Sequence, residues 1–115
     1  MKHVKVKRLD GVVVLAPHGY LVGGEETDEL QQLIQDLANE GNSALVINLA
    51  DTEFINSWAL GVLIGGHVNY SKRAARMKLC NVAQKINNLF VITRLSSVFE
   101  VYDSEERAVA SFSDA

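Results

Sequence analysis

Cysteine is almost absent: Cys80 stands alone in 115 residues, which excludes an intrachain disulfide and fits a reducing compartment. Proline is as scarce, with Pro17 alone, and no Pro-, Gly- or Ser-rich stretch reads as a linker or low-complexity segment. Long hydrophobic runs are missing too. The longest strongly apolar stretch, 58–68, contains Gly61, Gly65, Gly66 and His67 and is too short to span a bilayer. Met1 to Arg8 alternates valine with charge and lacks the apolar centre of a signal peptide. Charge of one sign does not accumulate: a net charge of −3 gives no electrostatic footprint for nucleic acid. The expectation is one soluble, cytoplasmic domain over residues 1–115, with no membrane insertion and no nucleic-acid partner.

What is present is an ordinary globular balance, 48% hydrophobic and 22% charged, which suffices for a core without staples. Two basic clusters, Lys2, Lys5, Lys7 and Arg8, and Lys72, Arg73, Arg76 and Lys78, read as solvated surface. Cys80 lies in an apolar stretch and reads as a packed strand residue instead of a nucleophile.

Val4 and Val6 alternate with Lys5 and Lys7 in a half-exposed first strand, and Asp10-Gly11 is a hairpin signal. A more buried strand over 12–16 ends at Pro17, which cannot donate to a ladder. Residues 18–24, with three glycines, read as a loop. The spacing of Leu30, Leu33, Ile34, Leu37 and Ala38 predicts a helix over 25–39, with acids in its early turn and Gly41 as its stop. The apolar run 43–49 predicts a strand buried on both faces, as parallel neighbours require. A second helix follows over 57–74. Leu60, Leu63, Ile64, His67 and Ser71 share one side of it, and Gly61 and Gly65 offer close backbone approach. A strand over 77–82 and a helix over 84–94 follow, the helix with Ile86, Leu89, Phe90 and Thr93 inward. Last come a short strand over 98–102 and a helix capped by Asp103 or Ser104 that bears Ala108, Val109 and Phe112. The fold class is therefore α/β: a small mixed sheet of about five strands, an initial hairpin then mostly parallel, covered by four helices.

Catalytic patterns are hard to find. His3, His18 and His67 lie in separate elements and offer no metal-ligand spacing, so neither a metal nor another cofactor is expected. His67, on an apolar helix face, reads as a hydrogen-bonded or rim residue. Ser57 has no nucleophile-elbow glycines around it, and Gly23-Gly24 is followed by Glu25-Glu26 instead of the Gly-Lys-Ser/Thr of a phosphate-binding loop. Glu25 and Glu26 read as acids favoured by a helix dipole instead of an acid/base pair. A non-enzyme is expected.

The junction between the buried strand and the second helix holds Asn56 and Ser57. A serine at a helix start is a good N-cap, and the free backbone N–H groups there also accommodate a phosphate. Trp58 beside it either folds onto the sheet edge as core or joins Tyr20, Leu21 and Val22 in an exposed contact patch.

The segment Phe54-Ile55-Asn56-Ser57-Trp58-Ala59-Leu60-Gly61-Val62-Leu63 resembles the signature of STAS domains, the family of the anti-sigma factor antagonists. That signature runs Phe-hydrophobe-Asp-Ser-Ser/Thr-Gly-Leu-Gly-hydrophobe-Leu. Val46-Ile47-Asn48-Leu49 looks like the strand before it, Gly19-Tyr20-Leu21 like the family's Gly-Glu-Leu, and residues 99–106 like its ending. The resemblance implies a partner-switching module. An anti-sigma factor that is also a serine-protein kinase binds it and phosphorylates the serine after the signature aspartate, which is Ser57 here, and a phosphatase resets it. This sequence differs from the signature at Asn56, Trp58 and Ala59, and has Tyr20 and Val22 where the family often carries acids. The expected partner surface is Tyr20, Val22, Asn56, Trp58 and Ala59. The alternative reading is a STAS scaffold, complex subunit or small-ligand binder without a phosphoswitch.

Overall fold

Asp10-Gly11 makes the tight turn its sequence predicts, with Gly11 at φ +77° and Leu9 paired to Val12 across it. The turn joins β1 (Val4–Leu9) antiparallel to β2 (Val12–Pro17). In this computed structural model, which describes residues 3–113, the chain continues through β3 (Gly19–Leu21), α1 (Glu25–Asn39), β4 (Ala44–Asn48), β5 (Thr52–Ile55) and α2 (Ser57–Lys72). It ends with β6 (Arg76–Cys80), α3 (Gln84–Ile92), β7 (Val101–Tyr102) and α4 (Glu105–Ala110). Met1 and Lys2, expected in the N-terminal basic stretch, lie outside the described residues.

The main sheet has the order β1-β2-β4-β6-β7 and is parallel after the first pair, so the expected five strands and four helices are present. The expected loop over 18–24 is a correction. Gly19–Leu21 forms a strand that pairs in parallel with Thr52–Ile55 as a second, two-stranded sheet. Three residues, the first of them a glycine, are too short to show a period of two. What holds them is tertiary: Gly19 N–H donates to the Asp51 carbonyl at 2.9 Å, and the buried Thr52 hydroxyl donates to the Pro17 carbonyl at 3.0 Å. This small sheet carries the junction at Asn56.

The core lies on both faces of the main sheet. Leu15, Leu45, Ile47 and Leu79 are fully buried on one face under α1, α2 and α3, with Leu30, Leu63, Tyr70 and Phe90 packed above them. Each such side chain contributes roughly 1.5–3 kcal/mol of burial. The other face, Val12, Val14, Ala44, Val46 and Cys80, is covered by Ala108 and Val109 of α4 and by Phe112 in the turn after it. α1 ends as predicted, with Gly41 at φ +88° and the Asn42 N–H donating back to the Leu37 carbonyl at 3.0 Å.

Three further expectations change. A Cβ on Gly61 or Gly65 would meet nothing within 4 Å, whereas one on Gly66 would lie 3.0 Å from Met77 Sδ and 3.1 Å from Ile34 Cγ2. The glycine of close approach is therefore Gly66. Lys78 is not solvated surface: it is buried, donates to Ser111 Oγ at 2.8 Å, pairs with Glu100 at 3.2 Å and sits 4.3 Å from the Phe112 ring centroid. Thr93 is exposed just past the end of α3, its hydroxyl bonded to the Leu89 carbonyl at 2.7 Å.

Candidate functional site

Asn56 is the residue that organises the strand-to-helix junction. Its backbone N–H donates to the Leu21 carbonyl at 3.0 Å, tying it to β3, and its carbonyl accepts from Leu60 N–H at 2.9 Å. Its side-chain oxygen accepts from Ala59 N–H at 3.1 Å, so Asn56 is the N-cap of α2. The expected capping role of Ser57 is thus a correction. Ser57 is the first helical residue, it is exposed, and its hydroxyl makes no hydrogen bond to another described residue. The first turn of α2 contains no acid. A hydroxyl presented in this way faces open backbone donors and the positive end of the helix dipole.

Trp58 resolves to the exposed alternative, at 63% accessibility. Its ring leans on Gly23, where a Cβ would lie 3.3 Å from Trp58 Cγ and where φ is +93°, so the glycine gives the indole its seat. Tyr20 is 57% exposed and tilts against Phe54 with ring centroids 6.3 Å apart, and Val22 is exposed beside them. Tyr20, Val22, Asn56 and Trp58 therefore come together on one side of the molecule. Ala59 does not: it is fully buried among the core residues under α2, so its side chain is removed from the expected surface.

The loop that carries Val22 and Gly23 is built on Glu26. One carboxylate oxygen accepts from the Thr27 hydroxyl at 2.7 Å, Val22 N–H at 2.9 Å and Gly24 N–H at 3.0 Å. Desolvation pushes the Glu26 pKa up, but these hydrogen bonds outweigh it and bring the value down to about 2. A carboxylate held ionised this firmly is a structural anion, not a general acid.

Sequence reasoning did not find a groove on the other flank of Ser57. Phe54, Ile55, Asn56 and Ser57 form one wall, and Lys85, Ile86, Leu89 and Ile92 of α3 form the other, around a volume of about 450 Å³. Ile92 is 79% exposed and falls outside the inward stripe of Ile86 and Phe90. Two adjacent apolar residues, Val91 and Ile92, at the exposed end of an amphipathic helix were the available signal.

The other polar candidates stand apart from this surface. Cys80 is buried, and burial, with the nearby Glu105 charge, pushes its thiol up to about 11, which suits packing and not nucleophilic attack. The ring of His67 meets Phe99 edge-on at 5.7 Å; the residue is half-buried and its Nδ1 has no hydrogen-bond partner among the described residues, so of the two expected roles it takes the rim one. Among the described residues no three His, Cys, Asp or Glu converge as metal ligands, and no helix is long and apolar enough to cross a membrane.

Compared with known proteins, residues 3–108 match the STAS domain family model. The anti-sigma-B factor antagonist of Staphylococcus epidermidis is 27% identical over 89 residues, which span 74% of this chain and 82% of that protein. The crystal structure of a candidate anti-sigma factor antagonist from Thermotoga maritima aligns with a TM-score of 0.86 at 25% identity, over 94% of this chain and 92% of its own. A sulfate transporter family protein from Wolinella succinogenes shares the fold at a TM-score of 0.78 and 17% identity, over 91% and 88% of the two chains.

Proposed function

Because the chain belongs to the STAS domain family, we propose that it is a non-enzymatic, cytoplasmic interaction module of the anti-sigma factor antagonist type, regulated at Ser57. The partner in this reading is an anti-sigma factor that is also a serine-protein kinase, with a phosphatase as the resetting activity. One observation carries it: Asn56 takes over the cap, which leaves the Ser57 hydroxyl exposed and unbonded on the rigid first turn of α2. Phosphate there gains the helix dipole, while its added charge of about −1.5 to −2 disrupts an apolar contact with Trp58, Tyr20 and Val22. Incubation with ATP and the serine kinase of the same genome tests this by intact mass. One phosphate is expected on the wild type and none on Ser57→Ala; a phosphate that survives Ser57→Ala refutes the switch.

A second reading, a scaffold or complex subunit without a phosphoswitch, is favoured by the size and apolarity of the Tyr20–Trp58 patch and by the absence of an acid from the first turn of α2. It requires Trp58→Ala to abolish partner capture while Ser57→Ala and Ser57→Asp leave it unchanged.

A further inference from the structure

The groove between β5 and α3 has a direction. Along α3, Lys85, Asn88, Leu89 and Ile92 fall on one face with the buried Ile86 at its inner edge, so Lys85 stands at one end and Ile92 at the other, about 10 Å away at 1.5 Å per residue. The facing wall supplies Phe54 and Ile55. No acid lines the groove, and Lys85 pairs with no carboxylate among the described residues, in a chain whose net charge is negative. A volume of about 450 Å³, a mostly apolar lining and a few polar groups are the attributes of a small-ligand site. We propose that this groove binds an anionic amphiphile of the fatty-acid class, with its carboxylate at Lys85 and its acyl chain along Ile86, Leu89 and Ile92 against Phe54 and Ile55.

The pairing follows from charge and from backbone accounting. An unpaired cation at the end of an apolar channel selects a ligand with one negative head and an uncharged tail. An acyl chain has no polar groups to satisfy, whereas a peptide brings an N–H and a C=O per residue that would have to stay on the groove's solvent side. Binding would bury the exposed Ile92, which no described residue of the chain covers.

The test is an amide-shift NMR titration with dodecanoate below its micellar concentration, set against undecyltrimethylammonium, a cation of equal tail length. Saturable shifts confined to 54–57 and 85–92 are expected, with dodecanoate tighter than the cation. Lys85→Glu should weaken dodecanoate at least tenfold and reverse the order of the two ligands. That variant is safe for folding because an acid suits the first turn of α3. Ile92→Glu should abolish binding, and Lys72→Glu, at the far end of α2, should leave it intact. Absence of saturable shifts, equal affinity for the two amphiphiles, indifference to Lys85→Glu, or shifts centred on Tyr20 and Trp58 overturns the proposal.

Discussion

At the residue scale, Asn56 and Ser57 divide the work that one serine performs at many helix starts. Asn56 closes the cap and is bonded to β3, while Ser57 is left with nothing to hold. The two substitutions should therefore separate. Asn56→Ala is expected to cost about 1 kcal/mol, the usual loss for a capping side chain, and Ser57→Ala about 0.5 kcal/mol or less; urea midpoints measure both. Glu26 offers a second residue-scale test, through pH. Its folded pKa of about 2 lies below its ordinary 4.5, so its stabilisation is fully present above 4.5 and is lost as pH falls towards 2. Glu26→Gln should accordingly lower stability at neutral pH and flatten the acid side of the stability profile between those two values. An unchanged slope there would show that the loop holding Val22 and Gly23 does not depend on this carboxylate.

At the element scale, α2 carries three glycines whose roles follow from their neighbours instead of their spacing. Gly65→Ala places a methyl group in open space and gains up to about 1 kcal/mol of helix propensity. Gly66→Ala gains the same but sets its methyl 3.0 Å from Met77 Sδ and 3.1 Å from Ile34 Cγ2, so those side chains must shift by a few tenths of an ångström and the gain is offset. Adjacent alanine substitutions should thus differ in thermal midpoint, with Gly65→Ala higher than Gly66→Ala. Helical periodicity pointed to Gly61 and Gly65 because it sees one helix and not what packs on it. The same limit explains what else was legible. α1 could be read to its last residue, since its apolar stripe, early acids and Gly41 are all local signals. β3 could not, because its reason to exist lies in β5, more than thirty residues away. Within the site, Ser57 and the aromatic patch were visible in the sequence, whereas the exchange of cap, the burial of Ala59 and the groove beside α3 depend on contacts between elements.

For the molecule as a whole, the two faces of the sheet are unequally guarded. Three helices cover one, and the six-residue α4 covers the other. That short helix is held by polar ties as much as by Ala108. Glu105 accepts from Lys7 at 2.6 Å and from Asn48 at 2.9 Å, and the buried Lys78 reaches Ser111 under the Phe112 ring. The Lys7 and Asn48 hydrogen bonds hold the Glu105 carboxyl below its ordinary pKa, so this anchorage is present above the usual carboxylate range and weakens as pH falls through it. Val12, Val14, Val46 and Cys80 lie directly behind. A chain ending at residue 103 loses the cover, the Glu105 ties and the Ser111 contact together, and exposes a continuous apolar face of the kind that drives association. Cys80 then serves as the reporter. In the full chain its buried thiol, with a pKa of about 11, should react with an aromatic disulfide reagent only at the rate of opening. In the shortened chain the reaction should be at least tenfold faster, and sedimentation should show self-association. Equal thiol rates in the two chains would mean that the sheet face is protected without α4, and that the polar ties decorate a contact they do not hold.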